Sequence, residues 1–151
     1  MTCIAYRDGI IAADTQESLD NGHKRECVKL YRVGDVIIGT AGNSYTGLML
    51  VDWYCEGADR ENLPTTPIMT MINEDIENFE CIVVRGHDDI ITVDKFFQPM
   101  ELELEDGYTA IGCGACVALG AMYHGATATE AVEAAIKHDL YTGGSVTSMN
   151  I

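Results

Sequence analysis

Two residues near the start of the chain, Thr2 and Asp14, are of types that could do chemistry together. If Met1 is removed, Thr2 carries a hydroxyl and a free α-amine on the same residue. An α-amine has an ordinary pKa of about 7.7–8.0, so it can accept the proton of the hydroxyl near neutral pH. The small Thr2 side chain is also what methionine removal generally requires. Thr2 is therefore a candidate nucleophile with its own base, although this stretch alone is better explained by an ordinary β-branched strand residue.

A predicted hairpin would bring Asp14 back beside the start of the chain. Residues 2–6 are rich in strand formers, Asp8-Gly9 is a strong two-residue turn signal, and residues 10–13 are an apolar run short enough for a buried strand. Because the second strand returns along the first, we expect a carboxylate, a hydroxyl and an amine to lie together at one end of the hairpin.

A second predicted hairpin has a similar sequence, since LYRVGDVIIGTAG echoes IAYRDGIIAAD. Its strands are residues 29–33 and 36–41. The polar segment between the two hairpins, residues 15–26, is expected to form an exposed loop or a loosely formed strand pair. The echo suggests that two similar antiparallel units lie side by side.

The remainder of the chain alternates helices with strands. Helices are predicted over residues 45–54, 68–77, 115–124 and 128–140, and strands over residues 80–85, 90–93, 100–104, 108–111 and 145–151. The last helix opens with a capping box, a threonine followed three residues later by a glutamate. Because most strands are joined by hairpins, antiparallel sheets faced by helix pairs fit this order better than a parallel βαβ array.

The composition fits a single globular domain over residues 1–151. Apolar residues make up 47% of the chain and charged residues 22%, and the length allows a substantial core. A net charge of −15 would repel phosphates, so we expect neither nucleic acid nor a membrane as a partner. The first residues lack the features of a signal peptide, and no apolar run approaches the ~20 residues needed to span a bilayer. These features predict a cytoplasmic protein.

The six cysteines lie mostly in apolar segments of a chain without an export signal, so we expect reduced thiols. Cys113 and Cys116 have the spacing of a redox or zinc half-site and open a predicted helix, where a thiolate would be favoured. A structural zinc would need two more ligands, but the sequence has no second CxxC and no paired histidines. We therefore expect no metal or other cofactor, and interpret this segment as a helix start made of small residues.

Six short segments, taken in order, resemble the threonine peptidases of the N-terminal nucleophile hydrolase superfamily. These are the proteasome β subunits and the bacterial proteasome-like protease subunit that works with an unfolding ATPase. The matching segments are Thr2-Cys-Ile-Ala, Gly9-Ile-Ile-Ala-Ala-Asp-Thr-Gln, Lys29-Leu-Tyr-Arg-Val, Thr40-Ala-Gly, Ala110-Ile-Gly-Cys-Gly and Asp139-Leu-Tyr-Thr-Gly-Gly. One segment alone would be weak, but six at compatible spacing are a strong match. The resemblance implies an α+β fold, a four-layer αββα sandwich of two antiparallel sheets.

The resemblance also assigns catalytic roles to the matching residues. It implies that the Thr2 hydroxyl attacks a peptide carbonyl while its α-amine relays the proton. A protonated Lys29 beside Thr2 would favour the anionic oxygen, and Asp14 would pair with Lys29 and fix it. The Gly42 amide would donate to the tetrahedral oxyanion.

Three further matches would orient the amine of the nucleophile. The resemblance implies that Asp139 and Thr142 approach the amine from the far side, together with Cys113. Cys113 and Thr142 stand where the family usually has serines. Thr142 keeps a hydroxyl, whereas a thiol is a weaker hydrogen-bond donor.

The resemblance places the substrate along two segments. Backbone near Glu17 and Ser18 and around Gly42 would hold an extended peptide by strand addition. The side-chain pocket would form near Cys27, Thr40 and Ser44.

Together these expectations describe a proteasome-like threonine peptidase that hydrolyses peptide or unfolded-protein substrates, within a homo-oligomeric ring and with an ATPase unfoldase as a candidate partner. The region between Gly42 and Phe79 is too short for the long helix pair of proteasome subunits. Two other hypotheses stay open on the same fold: a catalytically idle structural or interaction module, and a small-molecule amidohydrolase. The presence of Thr2, Asp14 and Lys29 together favours an enzyme over an idle module.

Overall fold

The computed structural model describes residues 2–19, 21–65 and 79–151. The strands in this part of the chain are β1 (Ile4–Arg7), β2 (Ile10–Asp14), β3 (Gln16–Ser18), β4 (Lys24–Glu26), β5 (Leu30–Val33), β6 (Val36–Gly42), β7 (Phe79–Gly86), β8 (Asp89–Val93), β9 (Pro99–Glu101), β10 (Tyr108–Ile111) and β11 (Val146–Asn150). The α-helices are α1 (Ser44–Cys55), α2 (Ala115–Tyr123) and α3 (Ala128–His138). The helix predicted over residues 68–77 lies outside the described residues.

The first sheet has the strand order β10-β1-β2-β11, and its neighbouring strands are antiparallel. The predicted hairpin forms its centre, with Ile4 opposite Ala13. Asp8 and Gly9 both have positive φ angles, 50° and 81°. This is the backbone that a two-residue turn requires, and aspartate and glycine tolerate it best.

The second sheet has the order β5-β6-β7-β8-β9 and is also antiparallel. The second hairpin, β5 and β6, therefore belongs to a different sheet from its echo, β1 and β2. The two hairpins face each other across the core, because a methyl group added at Gly39 would come within 3.1 Å of Ile4 and 3.2 Å of Ile11. The polar segment between them forms the short separate pair β3 and β4.

Three apolar clusters establish the order of the layers. The cluster between the sheets joins Ile4 and Ile11 of the first sheet to Ile37 and Ile82 of the second. Helices α2 and α3 cover the outer face of the first sheet, where small buried alanines on both sides allow close approach. Helix α1 covers the outer face of the second sheet through Leu50, Val51 and Trp53. The predicted αββα sandwich is confirmed.

The helix ends follow local chemistry. Asn43 caps α1 by accepting a hydrogen bond from the Thr46 N–H, and Thr127 and Glu130 form the predicted capping box of α3. Helix α3 ends at His138, earlier than the predicted residue 140, because Asp139 is already extended. The strand predicted over residues 100–104 is also shorter and ends at Glu101. No α-helix of the described residues is long and apolar enough to cross a membrane.

Candidate active site

The Asp14 carboxylate lies at the centre of the polar cluster and is fully buried. Oδ1 accepts from Lys29 Nζ at 2.8 Å and from the Cys3 N–H at 2.9 Å. Oδ2 accepts from the N–H groups of Gly143 at 3.1 Å and Gln16 at 3.3 Å. A buried charge is tolerated only when its lone pairs are satisfied, and four donors satisfy this one.

Lys29 reaches Asp14 from the opposite sheet. It directly precedes β5, and its carbonyl accepts from the Thr40 N–H at 3.0 Å, which continues the pairing of β5 with β6. Its ammonium also donates to the Gln16 carbonyl at 2.7 Å, and its side chain is only 6% exposed. The ion pair of Lys29 and Asp14 therefore connects the two sheets in the interior, directly behind the N-terminal strand.

Thr2 is buried and is bound by the segment between β10 and α2. Its N–H donates to Cys113 Sγ at 3.1 Å, and the Cys113 thiol donates to the Thr2 carbonyl at 3.3 Å. The Gly114 N–H donates to the same carbonyl, also at 3.3 Å. Residues 112–114, called the Thr2-binding segment below, thus hold the backbone of Thr2 on both its donor and its acceptor side.

Asp139 and Thr142 extend this network. The Asp139 carboxylate accepts from the Thr142 hydroxyl at 2.7 Å and from the Thr142 and Tyr141 N–H groups at 2.8 and 3.0 Å. The Thr142 oxygen lies 3.8 Å from Cys113 Sγ. Burial alone would raise the pKa of Asp139, but hydrogen bonds from Thr142, Tyr141 and Cys113 outweigh it and lower the pKa. Asp139 is thus an anion at the end of a chain of polar groups that starts at the Thr2 nitrogen.

The thiol of Cys3 is close enough to Asp14, Cys113 and Asp139 for their charges to affect its pKa. Burial, with smaller effects of the same sign from the Asp14 carboxylate, Cys113 and Asp139, raises its pKa to about 12. A thiol with this pKa stays protonated at neutral pH. Cys3 is therefore a core residue and not a candidate nucleophile.

Gly42, the predicted oxyanion donor, ends β6 in a left-handed conformation with φ of 91°. It pairs with Phe79 on β7, and the preceding residue, Ala41, pairs with Glu80. Glu80 Oε2 accepts from the Gly112 N–H at 2.8 Å. The predicted oxyanion strand and the Thr2-binding segment are therefore linked through one carboxylate.

The predicted substrate-binding residues lie on two neighbouring parts of the fold. Glu17 and Ser18 are in β3, which pairs with β4 along one edge. Glu17 also forms an ion pair with Arg25. Within the same strand, Ser18 Oγ accepts from the side-chain amide of Gln16 at 3.3 Å.

The remaining substrate-binding predictions fall around β6 and the start of α1. Cys27 is half-buried, and its N–H donates to the Thr15 carbonyl at 2.8 Å. The Thr40 side chain packs beneath α1, since a methyl group on Gly47 would come within 2.9 Å of its hydroxyl. Ser44 is the exposed first residue of α1.

Direct contact with Thr2 is observed for Cys113, whereas Thr142 and Asp139 reach Thr2 through Cys113.

Glu80, which contacts the Thr2-binding segment, was not predicted from the sequence. The only signal in the sequence was a single glutamate at the start of the apolar strand Phe79–Gly86.

The second cysteine of the CxxC motif, Cys116, is exposed, and all six cysteines are free thiols. The described residues contain no group of three or more histidine, cysteine or acidic side chains that could hold a metal.

Comparisons with known proteins identify the fold. No protein-family model and no curated protein sequence matches the chain. Among solved structures, BPH from Thiobacillus denitrificans in complex with epoxomicin is 22% identical with a TM-score of 0.67, covering 99% of this chain and 97% of that one. HslV from Trypanosoma brucei is 19% identical with a TM-score of 0.68, at 98% and 97% coverage. Anbu, described as an ancestral beta-subunit, from Yersinia bercovieri is 14% identical with a TM-score of 0.68, at 99% and 80% coverage.

These likenesses extend over nearly the whole chain, with TM-scores of 0.67 to 0.68. The chain has the fold of the proteasome-like N-terminal nucleophile hydrolases. The prediction of this fold from six short segments is confirmed.

Proposed function

We propose that the chain is a threonine-type peptidase that acts through Thr2 after Met1 has been removed. The observation that carries this proposal is the placement of the Thr2 nitrogen 3.1 Å from Cys113 Sγ, at the start of a polar chain ending in Asp139. The buried pair of Lys29 and Asp14 lies on the other side, linked to the nucleophile by the Cys3 N–H. If the amine of an N-terminal threonine is to act as a base, neighbouring polar groups must hold it in position.

The nucleophilic step uses two groups of Thr2. The hydroxyl oxygen adds to the substrate carbonyl, and its proton passes to the α-amine. The tetrahedral adduct then collapses to an ester on Thr2 Oγ, and the α-ammonium returns the proton to the departing amine. Water hydrolyses the ester by the same proton relay. Cys113 Sγ, which accepts from the Thr2 nitrogen while Met1 is attached, would orient the freed amine through the same contact.

Charges around Thr2 would favour the anionic oxygens formed in these steps. The Lys29 ammonium supplies a fixed positive charge that Asp14 and the Gln16 carbonyl hold in place. The Gly42 N–H is the proposed donor to the oxyanion, a role worth about 3–4 kcal/mol where such donors have been removed. We propose that the substrate is an extended peptide lying between β3 and the start of α1.

The substrate type, the assembly and the partner are proposed from the fold. BPH from Thiobacillus denitrificans was solved with epoxomicin, which supports a peptide-like ligand for this fold. We propose a homo-oligomeric ring in the cytoplasm, because sequestration would protect other proteins from a broadly reactive nucleophile. An ATPase unfoldase is the partner that such a ring would use to receive folded substrates.

The test is the intact mass of the purified protein before and after exposure to epoxomicin. This probe is a peptide epoxyketone, which reacts with a hydroxyl and an α-amine on the same residue. Loss of the methionine mass and gain of one inhibitor would support Thr2 as a processed nucleophile. The matched control is Thr2→Ala, which should lose Met1 and gain no inhibitor.

Other results would favour the alternative functions. A chain that retains Met1 and gains no inhibitor would contradict the proposal and favour an idle module. A processed chain that cleaves compact amides but not extended peptides would favour a small-molecule amidohydrolase. Size-exclusion chromatography of the same sample would test the ring.

A further inference from the structure

We infer that Glu80 is a positioning residue for the nucleophile, acting through the Gly112 N–H. The inference rests on the proposed function of Thr2 and adds a residue that neither the sequence motifs nor the catalytic network includes. Its basis is one hydrogen bond between the two sheets, from the Gly112 N–H to Glu80 Oε2 at 2.8 Å.

The Thr2-binding segment lies close against the backbone of Thr2. Gly112 has a φ of 86°, and a methyl group on its Cα would come within 2.2 Å of the Thr2 carbonyl oxygen. The two residues that follow, Cys113 and Gly114, both donate to that same oxygen at 3.3 Å. The position of Thr2 therefore depends on where this short segment lies.

Glu80 fixes that segment from the second sheet. It lies on β7, opposite Ala41 and next to the pair formed by Gly42 and Phe79. In a strand, alternate residues share a face. Glu80 therefore shares its face with Ile82, which packs in the cluster between the sheets.

The Glu80 carboxylate thus connects the two halves of the proposed reaction centre. The Thr2-binding segment belongs to the first sheet, and Gly42 belongs to the second. Adjacent strands of one sheet are held together by their backbone ladder, but residues of facing sheets need side-chain links to fix their spacing. The bond from Gly112 to Glu80 supplies such a link one residue pair away from Gly42.

The expected effect falls on turnover rather than on folding. Glu80 is exposed, so its removal leaves no cavity and no buried unpaired charge. A shift of the nucleophile by a fraction of an ångström, however, is enough to slow an attack that requires close alignment. Substrate binding by strand addition would be affected less, because β3 pairs with β4 and not with this segment.

Three variants test this role. Glu80→Ala removes the acceptor, whereas Glu80→Gln keeps an amide oxygen that can still accept from the Gly112 N–H. Glu101→Ala is the matched control, since Glu101 is an exposed glutamate of the same sheet that binds Arg85 instead. Each variant is assayed for kcat and KM on a fluorogenic peptide, for the rate of epoxomicin addition to Thr2, and for Tm.

We expect Glu80→Ala to lower kcat and the rate of epoxomicin addition by about tenfold or more, with KM changed less than about twofold. Glu80→Gln should recover most of both rates, and Glu101→Ala should behave as the parent. A wild-type kcat in Glu80→Ala would overturn the inference. So would equal losses in the alanine and glutamine variants, or a loss that appears only together with a lower Tm.

An exchange measurement separates this inference from the proposed function. If the parent protein neither hydrolyses peptide nor adds epoxomicin, the proposed peptidase fails. The hydrogen bond between Gly112 and Glu80 is then tested separately, by the hydrogen-exchange rate of the Gly112 amide measured by NMR. Faster exchange in Glu80→Ala than in Glu80→Gln would support the positioning contact, and equal exchange in both would overturn it.

Discussion

The Lys29 ammonium lies 2.8 Å from the Asp14 carboxylate, and this pair joins the two sheets of the sandwich. The side chains are 6% and 0% exposed. Asp14 additionally accepts three backbone N–H groups, from Cys3, Gln16 and Gly143. Because removing one partner of a buried pair leaves a charge in a poorly solvated place, changes here should affect stability as well as activity.

Asp14→Asn removes the negative charge while keeping the size of the side chain. We expect a loss of about 3–5 kcal/mol in the free energy of unfolding, because the Lys29 ammonium stays buried without this carboxylate. Peptide hydrolysis should be lost as well, since the positive charge near Thr2 is no longer held in place. Urea denaturation and a fluorogenic peptide assay measure the two effects.

Lys29→Met provides the matched comparison. It should abolish hydrolysis but cost less stability than Asp14→Asn, because Asp14 keeps its three backbone donors. A larger loss of stability in Lys29→Met than in Asp14→Asn would show that these donors do not sustain the carboxylate.

Cys113 contacts both the nitrogen and the carbonyl of Thr2 through a thiol. Cys113→Ala should lower kcat roughly two- to tenfold, in line with a net hydrogen-bond contribution of about 0.5–1.5 kcal/mol. Cys113→Ser should keep or raise kcat, because a hydroxyl is a stronger donor and acceptor than a thiol. Steady-state kinetics of the two variants decide this. Equal activity in alanine and serine variants would mean that the contact does not orient Thr2.

Much of the fold followed from local patterns. The hairpin of β1 and β2 could be predicted because Asp8 and Gly9 suit a turn with two positive φ angles, and because both strands are short apolar runs. The pairing of Asp14 with Lys29 was predicted through the family resemblance, since nothing in the spacing of the two residues indicates which sheets carry them. The end of α3 was placed too late because Leu140 continues an apolar pattern that the extended Asp139 interrupts.

The site was less predictable where it depends on contacts between the sheets. Glu80 was missed because its role comes from the approach of β7 to Gly112, and these segments are distant in sequence. Strand β9 is shorter than predicted because of another contact between the sheets. Leu102 and Leu104 alternate as strand residues would, but they turn to pack against the core between the sheets.

The reactivity of the thiols should follow their burial. Burial raises the pKa of Cys3 to about 12, and burial alone raises the pKa of Cys81 well above its usual range. Iodoacetamide at pH 8 should therefore modify Cys55, Cys113 and Cys116, which are exposed, and leave Cys3 and Cys81 unmodified. Peptide mass mapping after a short exposure locates the labels. All six thiols should react in urea, and rapid labelling of Cys3 in the folded protein would contradict its buried position.

Asp139 should make stability depend on pH in the acid range. Burial works against its charged form, but hydrogen bonds led by the Thr142 hydroxyl lower its pKa below the ordinary value of about 3.9. A depressed carboxyl pKa contributes stability above the unfolded-state pKa, and this contribution is lost as pH falls through the folded-state pKa. Asp139→Asn should therefore be less stable than the parent at pH 6, and the difference should shrink below about pH 4.

Urea midpoints at pH 6, 4 and 3 measure this dependence. Thr142→Val is the control, because it removes the hydroxyl donor while keeping Asp139, and it should reduce the difference between pH 6 and pH 3. A gap between Asp139→Asn and the parent that stays constant over the three pH values would mean that Asp139 keeps its ordinary pKa.

Gly112 offers a direct test of how tightly the Thr2-binding segment holds the nucleophile. Gly112→Ala places a methyl group 2.2 Å from the Thr2 carbonyl oxygen, on a residue with φ of 86°. Gly22 has a similar φ of 80° and open space around its Cα, so Gly22→Ala carries the same backbone strain without the clash. Gly112→Ala should lose hydrolysis by at least about a hundredfold, whereas Gly22→Ala should lose only stability, about 1–2 kcal/mol. Comparable activity in the two variants would show that backbone strain, and not contact with Thr2, sets the requirement for glycine at position 112.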